Sequence, residues 1–373
     1  MCRTPKYVID LDKFADNCMA ISNHFSAEWG ENIEYGYSVK TNRDAKLIKY
    51  ADEVLKWNIE VVSPDEYHYC KHHGIKDDNI ILNGPCKKEL LKQLEECPKI
   101  INLDNVSEVV EFVKLYQNYD GFVGLRVNFD LESKCPGETT VGQGVSRFGI
   151  DADSKDFLEC VKLLRNNGIN NIGLHLHTST KSRSMKVFSE LAMEAVKLKK
   201  KTMTDFCFID MGGGFFGGQI VKGKPSMADY ATAICDVLKQ EYDPQKTKLI
   251  LEPGASVLAT CVNYETTVIN KRCIRGVNVL TVDGTLLHIN PFLTKRNQPF
   301  EVLDVNYGNR TVVKRQIIGG ATCMENDRLA VLYNLGELQE GDVLSFKFAG
   351  AYTMGFNSYF ILNPPYVEYL ERR

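Results

Sequence analysis

Four positions far apart in the chain carry side chains suited to joint chemistry: Lys40, His177, the glycines Gly212-Gly213-Gly214, and Glu252. A lysine amine whose pKa is depressed by burial is a nucleophile and forms Schiff bases with carbonyls. Three consecutive glycines let backbone N–H groups close on a phosphate. A carboxylate can hold a pyridine nitrogen protonated and so make the ring an electron sink, and an imidazole can lie flat on such a ring. Each residue also has an ordinary reading. Lys40 alone would close a strand at the surface, because lysine is rarely fully buried. His177 alone would be a satisfied histidine, and Glu252 before Pro253-Gly254 would open a turn.

The elements that carry these residues decide between the readings. Ile33 to Thr41 alternates aromatic and β-branched residues with small or polar ones, which predicts a strand ending at Lys40. Further strand patterns lie at 59–62, 79–82, 99–103, 122–127, 171–177, 206–211 and 248–252, with helical patterns between them. Examples are Ala45-Leu47-Ile48-Ala51-Leu55 and Phe188-Leu191-Ala192-Ala195-Val196-Leu198. Eight strands alternating with helices predict an α/β fold, a (β/α)8 TIM barrel, with a doubly wound open sheet as its main rival. In such a barrel catalytic groups collect where the strands end. Lys40 ends the first strand, His175 to Thr180 the sixth, Asp210 to Phe215 the seventh, and Glu252-Pro253-Gly254 the eighth. An amine, an imidazole, an anion nest and a carboxylate on one face are the parts needed to hold pyridoxal phosphate on a lysine. Gly212 to Gly217 also matches the dinucleotide pattern GxGxxG. That pattern needs an acidic residue ending a second strand, whereas Asp236 falls inside the helical run Ala231-Ile234-Val237-Leu238.

The remaining chain fits this frame. Lys6 to Leu11 reads as a short strand able to join either domain, and Asp12 to Phe25 as a helix that Asp12 would cap. After Glu252 the texture becomes β-type, with runs at 266–269, 277–282, 302–305, 311–318, 329–333 and 343–348 and a hairpin turn expected at Tyr307-Gly308-Asn309. The expected division is therefore a barrel over 12–254 and a mainly antiparallel β domain over 255–373, with 1–11 joining it. Of the 373 residues 25% are charged, and the net charge of −3 offers nothing to nucleic acid or an anionic membrane. No apolar run approaches the roughly 20 residues of a membrane span. Twelve scattered cysteines without CxxC pairs, and no signal-like start, lead us to expect free thiols and a cytoplasmic setting. His68, His72 and His73 read as a solvated helix face, so no metal site is expected.

Together these segments resemble the alanine-racemase-fold, pyridoxal-phosphate-dependent decarboxylases, which include the ornithine, diaminopimelate and carboxynorspermidine decarboxylases. Tyr37 to Asn42 resembles the family's lysine motif, and Val62-Ser63-Pro64-Asp65-Glu66 its Ser-Gly-Gly-Glu segment. Arg126-Val127-Asn128, Ser146-Arg147-Phe148-Gly149, the His177 segment, Asp210 to Phe215 and Glu252-Pro253-Gly254 follow in the family's order. Gly320-Ala321-Thr322-Cys323 resembles the Gly-Pro-Thr-Cys motif, and Gly350-Ala351-Tyr352-Thr353 matches Gly-Ala-Tyr-Thr. The resemblance runs from about Pro5 to Asn357.

It implies that Lys40 carries the cofactor as a Schiff base, that His177 stacks on its ring, and that Glu252 pairs with the ring nitrogen. Thr180, Gly212, Gly213, Gly214, Gly254 and Tyr352 would serve cofactor binding, with Arg126 and Glu60 at neighbouring positions. Cys323 would be the proton donor, supplied by the partner subunit of a homodimer with shared sites. Met324 stands where ornithine and diaminopimelate decarboxylases place an acid that grips the distal ammonium, and Asn290-Pro291 stands where the diaminopimelate enzymes have Arg-Pro. Glu325 and Asn290 are thus the candidate substrate contacts. Ala255 replaces an arginine common after Glu-Pro-Gly, with Ser256 as a substitute. The expected activity is decarboxylation of an amino acid or amino-acid-derived substrate other than ornithine, lysine or diaminopimelate, such as a carboxy-polyamine or a siderophore or antibiotic precursor. A racemase and a non-catalytic homologue are the alternatives. The long stretch from Phe129 to Val145 is expected to form a lid over the site.

Overall fold

A computed structural model describes residues 3–294, 297–356 and 359–371. The chain divides into two units, Asn17–Ser256 and Met1–Asp16 with Val257–Arg373. The boundaries fall a few residues from the expected ones, the first of them inside the helix Leu11–Trp29. That helix is capped two residues earlier than expected. Asp10 Oδ1, rather than Asp12, accepts the Lys13 N–H at 2.8 Å, because a capping carboxylate must precede the first turn to reach its free amides.

In order, the strands are β1 (Lys6–Asp10), β2 (Ile33–Ser38), β3 (Asn58–Val61), β4 (Ile80–Leu82), β5 (Ile100–Leu103), β6 (Phe122–Asn128), β7 (Ile150–Asp151), β8 (Ile172–His175), β9 (Phe208–Asp210) and β10 (Lys248–Leu251). The larger unit is a closed parallel barrel, ordered β5-β4-β3-β2-β10-β9-β8-β6 and sealed by pairing of β5 with β6. Closure excludes the open-sheet rival. β7 is a short addition beside β6. Strands such as Ile80-Ile81-Leu82 are apolar on both faces because helices cover the outside while the interior packs. Ile81, Ile100, Phe208 and Ile250 form one fully buried cluster.

The second unit is built on β11 (Val262–Ile274), β12 (Val277–Val282), β13 (Phe300–Val302), β14 (Val312–Gly319), β15 (Arg328–Gly336), β16 (Val343–Phe346) and β17 (Tyr366–Leu370), in the order β13-β16-β11-β12-β14-β15. β1 belongs here, antiparallel to β11 and parallel to β17. Most pairings are antiparallel, with β12–β14 also parallel. Tyr307–Asn309 forms one turn of 3-10 helix rather than a hairpin turn. β13 pairs with β16 while β14 pairs with β12 and β15, so the strands on either side of the turn never meet.

The stretch expected as a lid is structured. It contains the short helix Leu131–Lys134 and a bridge between Thr139 and Thr180. Glu132 accepts hydrogen bonds from Gly137 N, at 2.5 Å, and from Thr139. A cavity of about 430 Å³ lies under it, bordered by Asn128, Phe148, His177 and Thr178.

Candidate active site

Each of the eight barrel strands delivers one polar side chain at or near its C-terminal end. These are Lys40, Glu60, Asn83, Asn102, Arg126, His175, Asp210 and Glu252, and all except Lys40 are buried. Polar groups in a barrel interior are costly unless hydrogen-bonded, and most of these are joined in a single run. Lys40 Nζ bonds to the Glu60 carboxylate, which also receives Ser38 Oγ at 2.8 Å. Asn83 Nδ2 donates to Glu60 Oε1 at 3.0 Å and to Glu252 Oε1 at 2.6 Å. Asn102 Nδ2 donates to Asn83 Oδ1 and to Asp210 Oδ2, both at 2.8 Å. Asp210 Oδ1 then accepts the Gly212 N–H at 2.8 Å. The run therefore reaches from the lysine amine to the glycine loop.

The other side of the ring is cationic and aromatic. Arg126 NH1 donates to Asp104 at 3.1 Å, NH2 reaches the His177 carbonyl at 3.4 Å, and the guanidinium lies over the Phe148 ring at 4.4 Å. His177 Nδ1 accepts the Gly213 N–H at 3.1 Å, which fixes the tautomer with its proton on Nε2. Burial, and then the Lys40 charge, hold His177 well below the usual histidine range, so it is neutral. His175 is neutral through burial and the charge of Arg126. Burial and the neighbouring Glu252 carboxylate push Asp210 well above the usual carboxylate range. His175, Asp210 and Glu252 bring ligand atoms within 4.8 Å of one another, close enough for a metal by distance alone. Yet both Asp210 oxygens are already taken by Gly212 and Asn102.

The glycine loop is shaped by close approach. A Cβ on Gly213 would sit 2.3 Å from the Glu252 carbonyl oxygen, and one on Gly212, with φ of +62°, would sit 2.5 Å from His177 Nδ1. Beside it, Tyr230 OH receives Phe216 N at 3.2 Å and donates to the Arg183 carbonyl, and Arg183 NH1 reaches the Phe215 carbonyl at 3.5 Å. Gly254 lets its segment press against Thr41, 2.3 Å from where a Cβ would stand. Thr41 Oγ1, Ser256 Oγ and Arg126 Nε are buried and have no hydrogen-bond partner among the described residues. Thr180 lies on the segment after His177, in the bridge to Thr139.

Four expected site residues lie in the second unit. Cys323 is exposed on a turn pinned by buried Asp327, which accepts Thr322 Oγ1 at 2.6 Å, Thr322 N at 3.1 Å and Leu286 N at 2.7 Å. Glu325 points to solvent and pairs with Arg328. Asn290 uses both ends of its amide on Thr294, donating to its carbonyl at 2.7 Å and accepting from its N–H at 3.1 Å. Tyr352 is partly exposed, with φ of +57°. Sequence reasoning singled out neither Asn83 nor Asn102. The available signal was an asparagine directly after the apolar strand Ile80-Ile81-Leu82 and another as the one polar residue of Ile100-Ile101-Asn102-Leu103.

A closed parallel barrel that gathers an amine, a neutral imidazole, paired carboxyls and a glycine loop at its strand ends has the architecture of barrel decarboxylases. Diaminopimelate decarboxylase from Helicobacter pylori, complexed with L-lysine, superposes with a TM-score of 0.80 at 21% identity, covering 100% of this chain and 92% of that one. The arginine decarboxylase of Paramecium bursaria Chlorella virus gives 0.80 at 19% identity, covering 99% and 96%. Residues 11–259 match the pyridoxal-binding domain of the pyridoxal-dependent decarboxylases, and the chain belongs to that family of carboxy-lyases. In sequence it is similar to the diaminopimelate decarboxylase of Aquifex aeolicus (strain VF5), 26% identical over 344 residues, 90% of this chain and 80% of that protein. It is also similar to the L-glutamyl-(BtrI acyl-carrier protein) decarboxylase of Niallia circulans, 25% identical over 392 residues, 99% of this chain and 89% of that protein. The residues present fit the family's cofactor. The buried hydroxyls of Thr41, against Gly254, and Ser256, against Gly217, lack partners among the described residues, and a buried carboxyl pair and a neutral histidine lie at the same strand ends as the lysine.

Proposed function

We propose that this chain decarboxylates an amino acid or amino-acid-derived substrate whose distal end does not rely on an acidic residue directly after Cys323. One observation carries the assignment of the site: Lys40 and Glu252 are tied into one buried run through Glu60 and Asn83. Pyridoxal phosphate, when bound, supplies the electron sink for the pair left behind as carbon dioxide departs. Lys40 would hold the cofactor covalently. His177, neutral and fixed by Gly213 N, would stack on its ring, and Glu252 would pair with the ring nitrogen. The amides of Gly212 to Gly214, with Thr180, Ser256, Gly254 and Tyr352, would hold the phosphate. Arg126 braces the His177 backbone. The Cys323 thiol, contributed by the partner subunit of a homodimer, gives its proton to the substrate Cα. The free, scattered thiols support a reducing, cytoplasmic setting, and among the described residues no helix is long and apolar enough to cross a membrane.

The substrate reading rests on Met324 and on Glu325, whose carboxylate faces water and is engaged by Arg328. Losing a buried partner for a distal ammonium costs several kcal/mol of discrimination against substrates that need one. A carboxy-polyamine, or a conjugated precursor of a siderophore or antibiotic, fits that gap. The relative named for a carrier-protein-bound L-glutamyl group lends the conjugated class weight.

The test is a mass-spectrometric screen of the cofactor-loaded protein against L- and D-amino acids, carboxy-polyamines and carrier-linked aminoacyl groups, scoring carbon dioxide and chirality together. We expect carbon dioxide release that falls by at least about 100-fold in Cys323→Ala, the usual scale for a lost general acid. Inversion without carbon dioxide would make the protein a racemase, and preferential turnover of ornithine, lysine or diaminopimelate would overturn the substrate reading.

A further inference from the structure

Two side chains at the centre of the polar run, Asn83 and Asn102, join every carboxyl of the run. Asn83 Nδ2 is shared between Glu60 and Glu252, at 3.0 and 2.6 Å. Its oxygen is fixed by Asn102 Nδ2 at 2.8 Å, and the same Asn102 nitrogen holds Asp210 at 2.8 Å. Both asparagines are buried, as are the three carboxyls they connect. The fold makes room for this arrangement. A Cβ at Gly124 would lie 1.9 Å from Asn102 Oδ1, so β6 carries no side chain opposite it.

We propose that Asn83 and Asn102 are positioning residues that lock the Glu252 and Asp210 carboxyls into one arrangement, with Glu252 turned to the ring nitrogen of the cofactor. The inference deepens the cofactor reading above and rests on it. The chemistry is a competition for a proton. A pyridine nitrogen opposite a carboxylate stays protonated only if that carboxylate is the weaker base. Hydrogen bonds donated to a carboxylate favour its ionised form. Asn83 donates one directly. Asn102 acts one step further back, holding the Asn83 amide so that its N–H and not its carbonyl faces Glu252, and anchoring Asp210. Burial and the Glu252 charge already favour the protonated form of Asp210. Without the asparagines, Glu252 loses a donor and its fixed orientation, and it competes better for the ring proton.

The test is 15N NMR of the protein loaded with ring-15N pyridoxal phosphate, followed against pH in wild type, Asn83→Ala, Asn102→Ala and Asn102→Ser. Circular dichroism and the visible absorbance of the lysine-bound cofactor check fold and loading. In wild type the ring nitrogen should give a pyridinium shift across roughly pH 6 to 9. In Asn83→Ala its deprotonation should move down by about one pH unit or more. Asn102→Ala should show a smaller shift in the same direction, partly rescued in Asn102→Ser, which keeps a donor hydroxyl. Should Asn83→Ala fail to fold, the ordered pair at position 102 still decides. Variants that load normally and titrate like wild type would overturn the inference while leaving the cofactor reading intact. A wild type that forms no visible cofactor band would overturn both.

Discussion

Glu66 is a residue whose environment makes a direct prediction. Its N–H is capped by Ser63 Oγ at 3.2 Å, and its carboxyl takes the Val62 N–H at 2.9 Å at the start of the helix Pro64–His72. Burial above all, against the lowering effect of the Val62 bond, pushes the carboxyl from near 4.5 up to about 7. A raised folded-state value means a contribution to stability that is fully present below about 4.5 and is lost as pH rises through about 7. Glu66→Gln removes this dependence while keeping an acceptor for Val62. Because the group is partly exposed, we expect the variant to gain about 1–3 kcal/mol over wild type at pH 8, with little gain at pH 5. Urea unfolding at the two pH values checks this, and an equal difference at both would contradict it. At this scale the sequence is legible where chemistry-bearing residues lie one or two positions beyond strand ends, as Lys40, His177 and Glu252 do. Asn83 and Asn102 were not, because an asparagine at or near the end of a short apolar run usually marks a turn, and only closure of the barrel turns both inward.

Among elements, the helix Val106–Leu115 shows how the site is braced from outside. Asn105 caps it, and Glu108 in its first turn accepts the backbone N–H groups of Asp104, at 2.9 Å, and Lys87, at 3.2 Å. Glu108 also forms a 2.8 Å ion pair with the buried Lys87 ammonium. Asp104 in turn holds Arg126. One carboxylate therefore joins the segment after β4, the segment after β5 and, indirectly, β6. Removing one partner of a buried pair leaves the other charge uncompensated, so Glu108→Ala should lower unfolding stability by about 3–5 kcal/mol. A loss under about 1 kcal/mol by urea titration would contradict this. The alternation of strands and helices was readable because each parallel strand is a compact β-rich run and each helix shows its own apolar stripe. Tyr307-Gly308-Asn309 misled because turn chemistry is local, while β13 and β14 choose partners far away in sequence.

For the molecule as a whole, pairing across long sequence distances was the least legible feature. Nothing in Lys6 to Asp10 announces that it lies between β11 and β17, and the parallel contact of β12 with β14 follows from tertiary packing rather than local pattern. The barrel carries Lys40, His177 and Glu252, whereas Cys323 and Tyr352 belong to the other unit. Everything in the proposed chemistry depends on Lys40 being the residue that carries the cofactor. The most direct measurement is to load the protein with pyridoxal phosphate, fix the adduct with borohydride and map the modified peptide by mass spectrometry. The account predicts the cofactor mass on Lys40, and loss of both the visible band and the label in Lys40→Ala. A label on another lysine, or a band that survives in Lys40→Ala, would contradict it.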